Sequence, residues 1–188
     1  MITSAERVIE VNNASPQESA NRAYGLAEGA SNTKSTNGAG VPSTQSSVVL
    51  RVATLHDLAS LQHIEQTCFT TDRLSKSRFK FYIDAQHAEL IVAEREPSTS
   101  SSNLDKNKPS VNSIVGYGLL LLRRGTQLTR LYSIAVLPEA RGLGVAENLI
   151  NSLGERALLR GKRFMRLEVA VGNAGAIALY KKLGFSQF

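Results

Sequence analysis

The tightest constraint on this chain is a change of hydrophobic period across one glycine-rich turn. Residues 129–136, TRLYSIAV, form a short run rich in aliphatic and β-branched side chains, which reads as a strand. Pro138 ends it, Gly142 and Gly144 follow, and then Leu149, Ile150, Leu153, Ala157 and Arg160 recur at helical spacing until Gly161. A strand that turns through glycines directly into an amphipathic helix is one half of an α/β unit. Such a segment excludes an all-helical bundle and an all-strand sandwich.

The rest of the chain supplies the other elements. VVLRVAT at 48–54 reads as a first strand, with Thr54 as a helix N-cap and Asp57 as its capping-box partner. Leu55, Leu58, Leu61, Ile64, Glu65 and Cys68 then follow helical spacing. Ser75 caps a second helix holding Phe79, Tyr82 and Ile83, and 88–94 is a strand. Residues 97–113 form a polar break, expected to be a flexible loop inside the domain because the strands on either side read as neighbours. The strand 114–122, the turn at Arg123, Arg124 and Gly125, and the strand 129–136 make a hairpin. A strand over 164–171 alternates Met165, Leu167, Val169 and Val171 against Arg166, Glu168 and Ala170. A last helix over 173–183 is closed by Gly184. The order β α α β β β α β α predicts a mixed α/β (α+β) domain over 48–188.

Residues 1–47 read differently. From residue 12 onward they are dominated by Asn, Ser, Thr, Gly and Ala, with too little apolar surface to offset the entropy of ordering. The expectation is a disordered leader over 1–47, with a weak helix around residues 16–26 as the alternative. The leader holds three basic and four acidic residues, which leaves 19 basic and 12 acidic residues, a net +7, on 48–188. A positive domain suits an anionic ligand: a phosphorylated cofactor, a nucleic acid or an acidic partner. One cysteine rules out a disulfide framework and a multi-cysteine metal site, and His56, His63 and His87 lack ligand spacing, so no metal is expected. The first ten residues have no apolar run of a secretory signal, and no stretch reaches the ~20 apolar residues of a membrane span. The expected setting is the cytoplasm, without a membrane.

The chemistry lies in VLPEARGLGVA, residues 136–146. Glycines without Cβ atoms let backbone amides approach a ligand, and the helix that follows adds unpaired N–H donors and the positive end of its dipole. Arg141 adds a permanent charge. The pattern is an anion cradle suited to a pyrophosphate. It is neither the G-x-G-x-x-G dinucleotide fingerprint nor a P-loop. An ordinary glycine-containing turn is the other reading of RGLG taken alone.

Arg141-Gly142-Leu143-Gly144-Val145-Ala146 resembles motif A of the GNAT (Gcn5-related) N-acetyltransferases, [Q/R]-x-x-G-x-[G/A], and RLEVAVGNAGAIALYKKLGF resembles the segment LEV…N…AI.LY.K.GF of the same family. The resemblance spans 48–188. It is nearest to the ribosomal-protein-alanine N-acetyltransferases, and CFTTDRLSKSRF and LLRRGTQLTRLYSIAV also resemble bacterial GNAT domains fused to a cysteine-peptidase-like domain. It implies an acyl-CoA N-acyltransferase fold, a mixed central sheet with flanking helices, and acetyl-CoA as co-substrate. The amides of Arg141, Gly142, Leu143, Gly144, Val145, Ala146 and Glu147 would hold the pyrophosphate. The backbone of Ile134, Ala135 and Val136 would pair with the pantetheine arm where two parallel strands splay, and its N–H groups would polarise the thioester carbonyl. Asn173 would contact the cofactor, with a plain N-cap as its structural reading. Glu168 would act as general base and Tyr180 as proton donor to the leaving thiolate. Direct transfer needs no nucleophile, so Cys68 reads as a small buried hydrophobe.

The chain departs from the family pattern in three places. Glu147 puts a carboxylate beside the cradle, Ala170 stands where LEVR-type relatives have Arg, and only Ser186, Gln187 and Phe188 follow Phe185, so the last strand reads as missing. A missing strand would leave the preceding strand with an open edge, to be covered by a second copy or a partner. Asp72, Arg73 and Arg78 read as a solvated face that could also sense acceptor charge. The implied function is transfer of acetyl from acetyl-CoA to a primary amine, of a protein N-terminus or a lysine. A truncated, non-catalytic acetyl-CoA-binding domain and a basic ribosome- or RNA-binding module stay open as alternatives.

Overall fold

The computed structural model describes residues 8–12, 48–95 and 113–187. Strands β1 (Val8–Asn12), β2 (Val48–Val52), β3 (Ala88–Arg95), β4 (Ser113–Leu122), β5 (Leu128–Val136), β6 (Phe164–Glu168) and β7 (Ser186–Gln187) form one sheet in the order β2-β3-β4-β5-β6-β1-β7. Helices α1 (Leu58–Cys68), α2 (Lys76–Asp84), α3 (Val145–Leu159) and α4 (Ala174–Lys182) flank it. Neighbouring strands run antiparallel except β5 and β6, which are parallel and joined through α3.

Each sheet face has its own core. The helical stripe Leu149, Ile150, Leu153 and Ala157 of α3 is buried against Val115, Leu120, Leu131, Met165 and Leu167. Burial of each large aliphatic side chain there contributes about 1.5–3 kcal/mol. Close approach of α3 requires Gly118, where a Cβ would lie 2.8 Å from Leu153 Cδ1. On the opposite face Leu61 and Ile64 of α1 and Phe79 of α2 pack on Tyr117 and Leu119. The Phe79 and Tyr117 rings meet edge to face at 5.3 Å. Ahead of α1 the Asp57 carboxylate accepts from the Thr54 N–H at 2.7 Å, as the capping box predicts, although the first turn, Leu55–Asp57, is a 3₁₀ turn.

The expected leader is corrected at its start: Val8–Asn12 pairs along the whole of β6, Val8 opposite Glu168 and Asn12 opposite Phe164. Val8, Ile9 and Val11 are β-branched and suit a strand. The polar composition that argued for disorder belongs to the residues after them. The rest of 1–47, including the helix considered at 16–26, lies outside the described residues, as does the break expected at 97–113 apart from Ser113, which begins β4. The strands on either side of that segment, β3 and β4, are neighbours as expected. The expected loss of the last strand is corrected too. Ser186–Gln187 forms a two-residue strand on β1, and β1 itself lies along β6, so the edge of β6 is paired rather than open. Strand β6 stops at Glu168 instead of continuing to 171, because its pairing with β1 ends there and β5 has already diverged.

Candidate active site

The pairing of β5 with β6 is short. It runs from Leu128 opposite Phe164 to Leu131 opposite Leu167, while β5 continues to Val136. Leu120 pairs with Leu131 and Leu119 with Ser133, so Tyr132 is an extra residue, a bulge that bends β5 at this point. Tyr132 and Glu168 are therefore the first residues on either side of a V-shaped opening. The splay implied by the resemblance is present.

Backbone groups of β5 line this opening. The Leu137 N–H donates to the Val115 carbonyl at 2.8 Å, which sets the phase of the β4–β5 ladder. By antiparallel alternation the polar groups of Ile134 and Val136 face the opening and those of Ala135 face β4. Of the three residues expected to offer backbone to a ligand, Ala135 is thus turned away. The Val136 carbonyl accepts from Arg141 Nε at 3.2 Å and from Cys68 Sγ at 3.5 Å. Burial pushes the Cys68 thiol up, against a smaller opposing effect of Arg141, which leaves it a poor nucleophile.

At the same end of the sheet the glycine-rich turn leads into α3. Gly142 and Gly144 have φ of 76° and 75°, a left-handed conformation that a side chain disfavours. The first intrahelical bond is Asn148 N–H to Gly144 O at 3.0 Å, and the Arg141 amide, expected to face a ligand, is instead taken by the Pro138 carbonyl at 3.2 Å. Open space surrounds both glycines. The orphan N–H groups of the first turn of α3 and the positive end of its dipole fit an oxyanion such as pyrophosphate. Arg141 is exposed and folds back on the strand end, at the rim of the cradle. Glu147 does not disturb the cradle: its carboxylate accepts from Lys182 Nζ at 2.7 Å, which ties α3 to α4 and turns the negative charge aside.

Glu168 lies beside the opening, and Tyr180 lies on the opposite face of the sheet. Glu168 alternates with the buried Leu167 and so points to the α1/α2 side, where Arg130 Nη2 donates to its carboxylate at 2.7 Å. Tyr180 is buried in the α3/α4 core with Ile134, Val136 and Val169, its ring 5.5 Å from that of Phe185. Burial raises its phenol above the ordinary value, so it is protonated at neutral pH. Asn173 caps α4, accepting from the Ala176 N–H at 3.1 Å. Its structural role is therefore present.

Sequence reading missed the support around Glu168. Arg130 sits in register with Arg166, diagonal to Glu168, and only the parallel pairing brings them together. The available signal was alternation, since both lie on the polar face of their strands. Also missed was Glu65, buried in the α1/α2 core, whose carboxylate accepts from the Leu74 N–H at 2.7 Å and from the Tyr117 hydroxyl. Tyr117 Oη lies 2.6 Å from Ser133 Oγ, which links this network to β5. Among the described residues no cluster of His, Cys, Asp and Glu is placed to hold a metal, and no helix is long and apolar enough to cross a membrane.

The comparisons agree with this geometry. Residues 58–185 match the acetyltransferase (GNAT) family. An uncharacterised N-acetyltransferase of Methanocaldococcus jannaschii is 43% identical over 61 residues, 32% of this chain and 27% of that protein, so the chain spans about a quarter of its length. A Bacillus subtilis (strain 168) protein with the provisional name of ribosomal protein bS18-alanine N-acetyltransferase is 28% identical over 131 residues, 69% of this chain and 75% of that one. The crystal structure of the ribosomal-protein-S18-alanine N-acetyltransferase from Escherichia coli shares the fold, with a TM-score of 0.58 and 22% identity over 73% of this chain and 77% of that chain. None of these names refers to a peptidase-like domain. The strand–turn–helix cradle, the splayed parallel pair and the family match over most of the described residues together place this chain in the GNAT acetyltransferase family.

Proposed function

We propose that this chain transfers the acetyl group of acetyl-CoA directly to a primary amine, of a protein N-terminus or a lysine side chain. The observation that carries the reading is the convergence of two features at one end of the sheet. The β5–β6 ladder opens after Leu131 and Leu167, and the glycine-rich turn beside it presents the N-terminus of α3.

In this reading the amides of 142–147 hold the pyrophosphate, with Arg141 at the rim and Asn173 beside it. Ile134 and Val136 offer backbone groups to the pantetheine arm. Bound acetyl-CoA supplies an activated acyl group as a thioester. Glu168 accepts the proton that the acceptor amine must lose before it can attack, directly or through a water. Tyr180, held neutral by burial, donates a proton to the sulfur on the other face. The two faces divide the work, with the acceptor entering from the α1/α2 side. The setting is the cytoplasm. The non-catalytic alternative rested on an open edge at β6, and that edge is paired with β1.

Calorimetry with acetyl-CoA on the full chain and on Gly144→Trp tests the cradle: binding by the parent and none by the folded variant is expected. Mass spectrometry of peptide and lysine acceptors then tests transfer. Binding without transfer to any amine would favour the non-catalytic reading, and no binding by a folded parent would overturn both.

A further inference from the structure

We infer that the acceptor for this site carries a carboxylate close to its amine, and that Arg78 recognises it. The inference rests on the acetyl-transfer reading and names the acceptor's chemistry. Tyr132 and Glu168 are the residues at the mouth of the opening. Arg78, on α2, reaches over to this mouth. Its Nη2 donates to the Tyr132 hydroxyl at 3.1 Å and to the Tyr82 hydroxyl at 3.2 Å, and its guanidinium lies 5.7 Å from the centre of the Tyr82 ring. Arg130 completes the row, 5.6 Å from the Tyr132 ring centre and bonded to Glu168. The row Arg78–Tyr132–Arg130–Glu168 therefore joins α2, β5 and β6 along one side of the opening.

The charges in this row do not cancel. Arg130 is neutralised by Glu168, while Arg78 bonds only to neutral phenols and has no ion pair among the described residues. Both of its bonds use Nη2, which leaves the Nε and Nη1 donors uncommitted on an exposed side chain. The phenols hold the guanidinium still, so less side-chain entropy is lost when a ligand binds. A fixed guanidinium with spare donors matches a carboxylate. An amine delivered to Glu168 from this face carries its neighbouring groups past Arg78. A carboxylate there is attracted, and a second ammonium is repelled. The carboxylate belongs either to an acidic residue following the acetylated N-terminal residue or to the amino acid that bears the amine.

The test uses the full chain saturated with CoA or acetyl-CoA. One arm compares peptides that differ only in Glu, Gln or Lys after the N-terminal residue. The other compares free amino acids with their amides. Both kcat/KM and the equilibrium affinity measured by calorimetry are read. We expect the carboxylate-bearing member of one arm to be favored about fivefold or more over its neutral isostere, and that arm identifies the source. Arg78→Gln should abolish the preference and Arg78→Glu should reverse it toward Lys, with acetyl-CoA affinity unchanged. Transfer without charge preference, or a preference that survives Arg78→Gln, overturns this inference and leaves acetyl transfer standing. Preferential binding of the acidic ligand without transfer, lost in Arg78→Gln, upholds carboxylate recognition by Arg78 and overturns the acetyl-transfer reading that makes this ligand an acceptor. No preference in either affinity or rate overturns it.

Discussion

Arg130 Nη2 lies 2.7 Å from the carboxylate of Glu168 and crosses from β5 to β6 beside the last rung of their parallel ladder. The bond holds the candidate base at the point where the sheet opens, and the guanidinium is itself seated over Tyr132. Arg130 is thus a positioning residue. Both side chains are partly exposed, at 38% and 26%, so the pair should contribute at most about 1 kcal/mol to folding. Arg130→Gln is expected to leave thermal stability nearly unchanged and to lower kcat more than it raises KM. Steady-state kinetics beside thermal melts separate this from a merely structural role, which would move the melting temperature.

Gly144 is the N-cap of α3 with φ 75°. A residue with a Cβ in this conformation costs about 1–2 kcal/mol, and Asn tolerates it better than other residues. Gly144→Val should lower stability by that amount and abolish acetyl-CoA binding, while Gly144→Asn should retain most of both. Urea melts and calorimetry on the two variants check the order.

Tyr180 has a buried ring, and its hydroxyl makes no hydrogen bond with the described residues. Tyr180→Phe should therefore leave stability unchanged or slightly raised, while kcat falls by about two orders of magnitude or more if the phenol donates the proton. Because burial raises the phenol, ionisation of Tyr180 should not reduce the rate until the pH exceeds about 10, the ordinary phenol value. A pH–rate profile of the parent tests this.

Asp57 links the start of α1 to the sheet. Burial opposes its charge, but the Arg51 fork at 2.8 and 2.9 Å and the Thr54 N–H together hold its carboxyl below the usual range. A carboxylate depressed in the folded state stabilises at pH above its unfolded value of about 3.9, and that contribution is lost as pH falls through the folded value. Asp57→Asn should cost about 2–3 kcal/mol at pH 7. The difference between parent and variant should shrink as the pH falls below about 3.9 in urea melts.

Lys182 draws the Glu147 carboxylate away from the cradle at 2.7 Å. Lys182→Ala frees that charge beside the expected pyrophosphate. The acetyl-CoA dissociation constant should rise about twofold at low salt, by a screened interaction of roughly 0.5 kcal/mol. The difference should shrink at high salt, and calorimetry at two ionic strengths measures it.

The elements around the cradle were legible because local physics dictates them. Helical spacing of Leu149, Ile150, Leu153 and Ala157, the Thr54–Asp57 and Asn173 caps, and the glycines at 142 and 144 each carry a signal within a few residues. The same holds for the alternation that sets Glu168 opposite Leu167. The resemblance to an acetyltransferase family was readable for the same reason, since its motif is a local one.

Tertiary structure decided what depends on pairing between distant segments. Composition over 1–47 concealed that Val8–Asn12 would find the edge of β6, because a strand's partner is set by register and not by its own sequence. The bulge at Tyr132 and the end of the ladder at Leu131 and Leu167 turned Ala135 away from the opening and brought Arg130 to Glu168. Glu147 looked like an obstacle until α4 brought Lys182 beside it. The sequence by itself determined which side chains could do chemistry. The fold decided which face each one serves, because the direction of a side chain follows from strand phase and helix packing, and these close only over long separations in the chain.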